Sequence, residues 1–358
     1  MKIPMAKPDI GKKEILAVTK VINSGWLGQG KVTKLFENDL KKFFSSEVVA
    51  VNNGSSAILC ALLGLGIKPG DIVAVPAFTF MSTSSVPKIL GAKIIPVDID
   101  KQTLNMDLGE LEKILKKQKI DFVIFVDVGG LPNDIDKIIK LSKIYNFKIL
   151  EDAAEAFGSE YKGKKLGSFN HASIFSFHIA KLITTIEGGC ITSKNKSLIK
   201  KISAIKDIGR KKPGYVHQYI GSNFRITDVQ SAIGREQLKR VDSYVKQRNI
   251  IADKYRNKIN SIKFQEIPIY VTLNGYMLFF GIAKNKRQKQ KIINSLWDKK
   301  IDSRLAWLPV NSQPCNPELK KYKCKNADEI YKKVFTIPIY NTIKNSEVKR
   351  IIDIINSV

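Results

Sequence analysis

The stretch KILEDAAE, residues 148–155, is a short apolar run that ends in acidic side chains. Similar apolar runs without alternation occur at Phe122–Val126 and Ala172–Phe177. Such runs are typical of strands in a parallel sheet that helices cover on both faces. The acidic residues therefore fall at the carboxyl end of a predicted strand, where such sheets bind ligands. A carboxylate there could hold a cationic ring nitrogen or a metal ion, or could cap the following helix.

Apolar runs alternate with amphipathic segments over the first two-thirds of the chain, which predicts an α/β fold with a mostly parallel, seven-stranded sheet. The predicted strands are Val48–Val51, Ile72–Val75, Lys93–Val97, Phe122–Val126, Lys148–Leu150, Ala172–Phe177 and Gly189–Ser193. The predicted helices between them are Ser56–Leu65, Ser84–Leu90, Leu108–Lys117, Asp134–Tyr145 and Ser197–Lys206.

The last third of the chain has a different pattern. Apolar side chains recur at helical spacing throughout Thr227–Asn260, so we expect this stretch to be helical. A predicted strand and two predicted helices follow, at Met277–Ala283, Gln288–Lys299 and Ser346–Ser357. We therefore predict a large domain at residues 1–245 and a small C-terminal α+β domain at residues 246–358.

The composition is strongly basic, since 60 Lys and Arg residues against 33 Asp and Glu residues give a formal net charge of +27. Of the basic residues, 51 are lysine. Base readout and bidentate phosphate contacts favour arginine, so this charge is weak evidence for a nucleic-acid partner. A basic nucleic-acid-binding or regulatory protein remains a remote alternative, and attraction of anionic small molecules is the milder interpretation.

No apolar stretch reaches the roughly 20 residues of a membrane helix, and the N-terminal sequence lacks the apolar core of a signal peptide. We therefore expect a cytoplasmic protein that needs no membrane partner. The four cysteines have no metal-binding spacing and only three histidines are present. We accordingly expect no metal site.

A turn of small residues follows the first predicted strand, in the sequence VNNGSSA at residues 51–57. Backbone N–H groups and hydroxyls at a helix N-terminus bind phosphate well. The motif is neither a P-loop nor GxGxxG, and an ordinary N-capped helix could have the same sequence.

Another motif, ASIFSFHIAK at residues 172–181, ends a strand near Ser176 and brings Lys181 five residues later. A lysine among small residues just after an apolar strand is a candidate for Schiff-base chemistry. Since the chain has 51 lysines, it is this context that singles out Lys181.

Taken in order, these motifs resemble the DegT/StrS family of pyridoxal-phosphate (PLP)-dependent nucleotide-sugar aminotransferases, which have the aspartate aminotransferase fold, PLP fold type I. The resemblance runs from about Ser24 to Val358. Further segments that resemble the family are SGWLGQG (24–30), GLGIKPGDIVAVPAFTF (64–80), YKGKKLGSF (161–169), NFRITDVQSAIGREQL (223–238) and PVNSQP (309–314).

The resemblance implies roles for individual residues. Lys181 would carry the cofactor and transfer protons, and Asp152 would hold the protonated pyridine nitrogen. Phe80 would stack on the cofactor ring. Asn223 would reach the cofactor of the neighbouring subunit, which implies a homodimer with shared sites. The other implied cofactor-binding residues are Gly54, Ser55, Ser56 and Ser176 at the phosphate and Glu155 near the phenolic oxygen.

The sequence departs from the family pattern at several positions. Glu155 replaces a frequent glutamine, although perosamine-synthase-like 4-aminotransferases also resemble EDAAEA. Ile186 stands where glycine is common and would alter a turn near the cofactor. Residues Asp127–Gly129 stand where relatives often have a histidine, on the expected substrate side. His178 occupies a variable position without a fixed role.

The implied reaction is a two-stage exchange in which L-glutamate gives an amino group to a nucleotide-linked 4-keto-6-deoxy sugar. The product would enter a surface polysaccharide such as O-antigen or another glycan. The alternatives are a 3-keto sugar aminotransferase, a PLP-dependent sugar dehydratase and a PLP-binding scaffold without turnover. Dehydratases of this type have histidine where this chain has Lys181. Arg225 and Arg304 are candidates for binding a diphosphate or a carboxylate.

Overall fold

The central element of the fold is a seven-stranded sheet. The computed structural model describes residues 2–211 and 214–358. All seven predicted strands are present, with ends within about two residues of the prediction. The strands are β1 (Glu47–Val51), β2 (Ile72–Pro76), β3 (Lys93–Val97), β4 (Phe122–Val126), β5 (Lys148–Asp152), β8 (Ala172–Ser176) and β9 (Gly189–Ser193). Their order across the sheet is β1-β9-β8-β5-β4-β2-β3.

Strands β3, β2, β4, β5 and β8 are parallel, whereas β9 is antiparallel to both β8 and β1. Alternate residues of β1 join different hydrophobic clusters: Val48 and Ala50 belong to one, Val49 and Val51 to the other. Both faces of the sheet are therefore buried, as the continuous apolar runs predict. The register of β4 and β5 pairs Val126 with Asp152, so the carboxyl ends of these two strands lie side by side.

Helices cover both faces of this sheet and build the C-terminal part of the chain. In the described residues they are α1 (Lys12–Asn23), α2 (Lys31–Phe44), α3 (Gly54–Leu65), α4 (Ser82–Ile89), α5 (Leu108–Leu115), α6 (Ile135–Tyr145), α7 (Lys196–Lys206), α8 (Asp228–Leu238), α9 (Val241–Lys258), α10 (Lys286–Asp298), α11 (Lys325–Lys333) and α12 (Asn345–Asn356).

The stretch Thr227–Asn260 is not helical throughout, which corrects the prediction. It forms α8 and α9 with a break at Lys239 and Arg240, where Arg240 has φ −111° and ψ 0°. The Arg240 guanidinium donates to Asp9 Oδ2 at 3.1 Å. A tertiary contact thus accompanies this interruption of the helix, which the apolar periodicity does not reveal.

The remaining strands of the described residues form two small sheets. One has the order β10-β12-β13 and the other the order β11-β6-β7. Their strands are β6 (Glu160–Tyr161), β7 (Lys164–Lys165), β10 (Lys263–Phe264), β11 (Val271–Leu273), β12 (Phe279–Ile282) and β13 (Val334–Ile337). Strand β12 corresponds to the strand predicted at Met277–Ala283.

The C-terminal core includes residues from both ends of the chain. Ile3 is buried in that core and pairs in parallel with Ile301. The Met5 N–H donates to Asp302 Oδ2 at 3.3 Å. Helix α9 packs Val245 in the core of the large sheet and Ile251 in the C-terminal core. The boundary between residues 245 and 246 remains a prediction, and it falls inside this continuous helix.

None of the helices in the described part of the chain is long and apolar enough to cross a membrane.

Candidate active site

A cavity of about 840 Å³ opens at the edge of the sheet where β4, β5 and β8 end. It collects predicted site residues from distant parts of the sequence: Gly54, Ser55, Phe80, Asp152, Glu155, Ser176 and Lys181. Ser56 lies further into α3, and its N–H donates to the Asn53 side chain at 2.7 Å to cap the helix. The cavity lies at the carboxyl ends of the strands, as the position of the acidic residues predicts, and it brings together residues that the family resemblance implies.

Asp152 is the last residue of β5 and is almost fully buried. Its Oδ2 accepts a hydrogen bond from the Thr83 hydroxyl at 2.7 Å, and its Oδ1 accepts one from the Ala154 N–H at 3.2 Å. Burial raises the pKa of Asp152, and the Thr83 hydrogen bond is the largest effect that opposes this rise. Thr83, in α4, is absent from the predicted site.

Glu155 and Lys181 face each other in the cavity. Lys181 Nζ lies 3.8 Å from Glu155 Oε1, and the Gly129 N–H donates to Glu155 Oε2 at 2.9 Å. Burial raises the pKa of Glu155, and the charge of Lys181 opposes that rise. The cavity thus holds two buried acids and one amine, a combination suited to moving protons.

The N-terminus of α3 forms a polar cradle beside the end of β8. A Cβ added at Gly54 would lie 3.0 Å from the Ser176 Cβ, so glycine lets the helix approach the strand closely. The Ser55 hydroxyl lies 2.8 Å from the Ser82 hydroxyl. The first N–H groups of a helix have no partner within the helix, so this corner can receive an anion.

Phe80 has an exposed ring, in contrast to its fully buried neighbour Phe78. The exposed fraction of Phe80 is 58%, and the side chain lines the cavity. Phe78 packs against Trp307 with ring centroids 5.2 Å apart. Core packing therefore does not account for Phe80, and its ring is free to stack on a flat ligand.

The turn that carries Lys181 also brings His178 to the cavity. His178 Nδ1 accepts the Ala180 N–H at 3.2 Å, and its Nε2 lies 3.7 Å from Glu187 Oε1. His178 therefore shapes this turn through a local hydrogen bond while keeping one face toward the cavity.

The two candidate arginines occupy different places. Arg304 lines the cavity, and its guanidinium lies 3.6 Å from Asp302 with a side chain that is 69% exposed. Arg225 instead pairs with Asp207 at 2.6 Å. Asn223 is exposed and is not among the described residues that line this cavity. Within one subunit, the geometry thus brings Arg304 to the site and leaves Arg225 and Asn223 outside it.

The sequence matches the DegT/DnrJ/EryC1/StrS aminotransferase family over residues 8–356. The chain belongs to this family. The predicted family membership is confirmed, and so is the predicted class of enzyme, an aminotransferase. The alternative of a nucleic-acid-binding protein is therefore rejected.

Individual relatives match this chain over nearly its whole length. The chain is 34% identical to GDP-perosamine synthase of Escherichia coli O157:H7, over 99% of this chain and 98% of that protein. It is 33% identical to UDP-4-amino-4,6-dideoxy-N-acetyl-beta-L-altrosamine transaminase of Campylobacter jejuni, over 99% and 97%. Helicobacter pylori PseC, an aminotransferase involved in pseudoaminic acid biosynthesis, superposes with a TM-score of 0.93 at 26% identity, over 100% and 99%. The predicted PLP fold type I is thereby confirmed.

Asp127 does not contribute its side chain to the cavity of the aminotransferase, contrary to the expectation that residues 127–129 face the substrate. Asp127 is fully buried, and its Oδ1 accepts the N–H of Asn133 at 3.0 Å. Burial and the neighbouring Glu151 raise its pKa. It anchors the turn whose Gly129 N–H holds Glu155, so this segment reaches the site through its backbone.

Ile186 has a left-handed backbone conformation, with φ +73°. A β-branched residue in this region is strained because its Cβ crowds the neighbouring carbonyl. The Ile186 N–H donates to the Thr184 hydroxyl at 2.8 Å, which fixes the turn. The glycine that the family resemblance leads us to expect at this position would relieve the strain.

Ile186→Gly is expected to raise the free energy of unfolding by about 1 kcal/mol, because relief of strain exceeds the added entropy of the unfolded chain. Ile186 is 53% exposed, so little apolar burial is lost. Denaturant unfolding measures the effect. The matched control is Ile144→Gly, which is exposed inside helix α6 and should lose about 1 kcal/mol. Equal losses in both variants would contradict the strain.

Glu155→Gln is expected to stabilise the cofactor-free protein near neutral pH. Burial raises the folded-state pKa of Glu155, so the unfolded state ionises first as pH rises. The free energy of unfolding of the wild type therefore decreases as pH rises from the unfolded pKa to the folded pKa of this group. Glutamine does not ionise, so the variant escapes this loss. Melting temperatures of variant and wild type should converge at about pH 4, and the variant should melt higher at about pH 8.

Glu318→Gln is the control of opposite sign. A hydrogen bond from Lys88 lowers the pKa of the exposed Glu318 carboxyl. The ionised Glu318 therefore makes a small contribution to folding stability above its unfolded pKa, and this contribution is lost on acidification. If Glu155→Gln raised the melting temperature more at acidic pH than at neutral pH, the inferred direction of the Glu155 pKa shift would be wrong.

Proposed function

We propose that the protein is a PLP-dependent aminotransferase that transfers an amino group from L-glutamate to a nucleotide-linked 4-keto-6-deoxy sugar. The observation that carries the proposal is the presence of Lys181 and Asp152 in one cavity, beside the N-terminus of α3. Family membership supplies the reaction class. The cofactor, the donor and the sugar are the proposed parts.

The cavity residues fit PLP. The Asp152 carboxylate accepts two hydrogen bonds, from Thr83 and Ala154, and a carboxylate has about four acceptor sites. It therefore keeps acceptor capacity for a pyridinium N–H. The α3 N-terminus, with Ser55, Ser56 and Ser176, would hold the phosphate, and Gly54 leaves space that a Cβ would fill. Phe80 would cover the ring, and Asn223 would come from the partner subunit.

Bound PLP supplies an electron sink through which an amino group changes carriers. Asp152, as a carboxylate, would hold a proton on the ring nitrogen. Lys181 Nζ would bind the cofactor between turnovers, and when released it would accept and return the transferred proton. Glu155, 3.8 Å from Lys181 Nζ, would orient the released amine.

The names of two relatives support the sugar assignment. They refer to GDP-linked and UDP-linked products, and one specifies a 4-amino group. These names favour a 4-keto acceptor over the 3-keto alternative, and the relation of PseC to pseudoaminic acid supports a role in glycan synthesis. The exposed Arg304 guanidinium at the cavity is suited to the diphosphate or to a glutamate carboxylate.

The test is an absorbance spectrum of the purified protein with PLP, recorded before and after L-glutamate and then after a panel of nucleotide-linked keto sugars. We expect a band of lysine-bound PLP that glutamate converts to the band of the pyridoxamine form, and a 4-keto sugar should restore the first band. A bound cofactor that glutamate leaves unchanged would overturn the proposed donor reaction and favour the dehydratase or scaffold alternatives.

We also propose a homodimer. Large apolar side chains are exposed on and after α1, with Ile15 60%, Leu16 61% and Trp26 64% exposed. The loop that precedes Asn223 exposes Val216 and Ile220 in the same way. Burial of such side chains against a second copy would stabilise a symmetric dimer.

Complementation tests whether the partner completes the site. Lys181→Ala and Asn223→Ala should each be weakly active alone, because each damages every site. Mixed and refolded together, they form dimers in which one site has both wild-type residues, so activity should recover to about one quarter of wild type. Activity that stays at the level of the separate variants would place Asn223 in its own subunit's site or in none.

A further inference from the structure

Two buried hydroxyls form a chain that ends on Asp152. The Thr79 hydroxyl lies 3.0 Å from the Thr83 hydroxyl, and Thr83 Oγ1 lies 2.7 Å from Asp152 Oδ2. Thr79 is 2% exposed and Thr83 is fully buried. Neither hydroxyl belongs to the residues that the family resemblance implies for the cofactor.

The direction of the hydrogen bonds follows from the charge on Asp152. An ionised carboxylate only accepts, so Thr83 must donate to it. The Thr83 oxygen is then available to accept from Thr79, which aligns both hydroxyl dipoles toward Asp152. Two hydrogen bonds aligned in this way polarise each other, which makes both stronger at a buried position.

The segment PAFTFMSTSSV, residues 76–86, explains why these side chains are close together. Thr79 lies in the loop just before α4 and Thr83 lies in the first turn of that helix. The loop brings the two hydroxyls to within 3.0 Å of each other. Phe80, between them, points its exposed ring into the cavity. One short segment therefore supplies both an aromatic cover and a polar support for Asp152.

We propose that Thr83 is a positioning residue whose hydroxyl, oriented by Thr79, fixes the Asp152 carboxylate and keeps it ionised for the cofactor's ring nitrogen. This inference rests on the proposed function, because it assumes that Asp152 is the ring-nitrogen partner. The Thr83 hydrogen bond lowers the pKa of Asp152 against the effect of burial.

Other charged groups also act on Asp152. Lys181 lowers its pKa and Glu151 raises it, and Glu155 shares the cavity and interacts with Asp152 through charge. These groups are unchanged by substitution of Thr83, so a change in the Asp152 pKa on that substitution reports the effect of the Thr83 hydroxyl.

The experiment measures the dissociation constant of PLP against pH for wild type, Thr83→Val, Thr83→Ser, Asp152→Asn and the Thr83→Val/Asp152→Asn double variant. Binding should weaken at acidic pH as Asp152 becomes protonated. Thr83→Val keeps the side-chain shape, and we expect it to move this acidic limb upward by about one to two pH units. Thr83→Ser should retain the wild-type profile. Thr79→Val, measured in the same way, should give a smaller upward shift.

A matched control is Thr192→Val. Thr192 lies in β9, and its buried hydroxyl has no hydrogen-bond partner among the described residues. This variant should leave the PLP profile unchanged. Melting temperatures of all variants check that each is folded at the pH of measurement.

The double variant separates a positioning role from a structural one. If Thr83 acts through Asp152, Thr83→Val has no further effect once Asp152 is Asn. An equal weakening in both backgrounds, or a wild-type profile for Thr83→Val, would overturn the inference. An Asp152→Asn variant that binds PLP like wild type at every pH would instead overturn the proposed role of Asp152, and the proposed cofactor geometry with it.

Discussion

Lys181→Ala is expected to abolish the absorbance band of lysine-bound PLP and to reduce turnover by about 10³-fold or more. Alanine removes both the amine that binds the cofactor and the group that moves the proton. Lys181 Nζ, next to Glu155 Oε1, is the amine that the described residues bring to the cavity beside Asp152. The spectrum and the rate should therefore be lost together.

The control for Lys181→Ala is Lys164→Ala, since Lys164 is an exposed lysine in β7. That variant should keep the wild-type spectrum and rate. Addition of a small primary amine to Lys181→Ala should restore part of the proton transfer. A lysine-linked band that survives in Lys181→Ala would mean that another lysine carries the cofactor.

Asp152→Ala is expected to retain some PLP but to lose about 10²-fold or more in turnover. Without an anionic partner the ring nitrogen is less readily protonated, so the cofactor accepts electrons less well. Asp152→Asn should have a similar effect, because an amide keeps the size of the carboxyl and loses its charge. Steady-state rates and PLP affinity separate the two consequences.

Glu151→Gln offers a comparison one residue away. Glu151 is fully buried but accepts hydrogen bonds from His171 and Ser173 instead of lining the cavity. Its substitution should reduce stability more than it reduces the rate per folded molecule. If Asp152→Ala left turnover unchanged, the wrong carboxylate would have been assigned to the ring nitrogen.

The sequence predicts the sheet and the main cavity residues for a simple physical reason. Strands buried on both faces are apolar throughout, so the polar residues that interrupt them mark strand ends. Asp152 and Ser176 both end strands of the same sheet, and the parallel direction of β5 and β8 brings these ends together. Periodicity thus marks each strand end separately, whereas the grouping of these residues in one site is what the family resemblance implies.

Other features depend on tertiary contacts that no local pattern contains. Thr83 lies in a run of Ser and Thr residues, and the sequence does not indicate which hydroxyl faces Asp152. The density of hydroxyls after β2 was the available signal. The break between α8 and α9 is similar, because Arg240 contacts Asp9, more than 200 positions earlier in the chain.

The Ile3–Ile301 pairing has a consequence for the order of folding. The first residues of the chain contribute to a core whose other members are made last, so they stay without their partners during most of synthesis. Contacts of such large sequence separation slow folding, because a long loop must close before they form. The wall of the cavity that contains Met5 is therefore completed only after the C-terminal strands are in place.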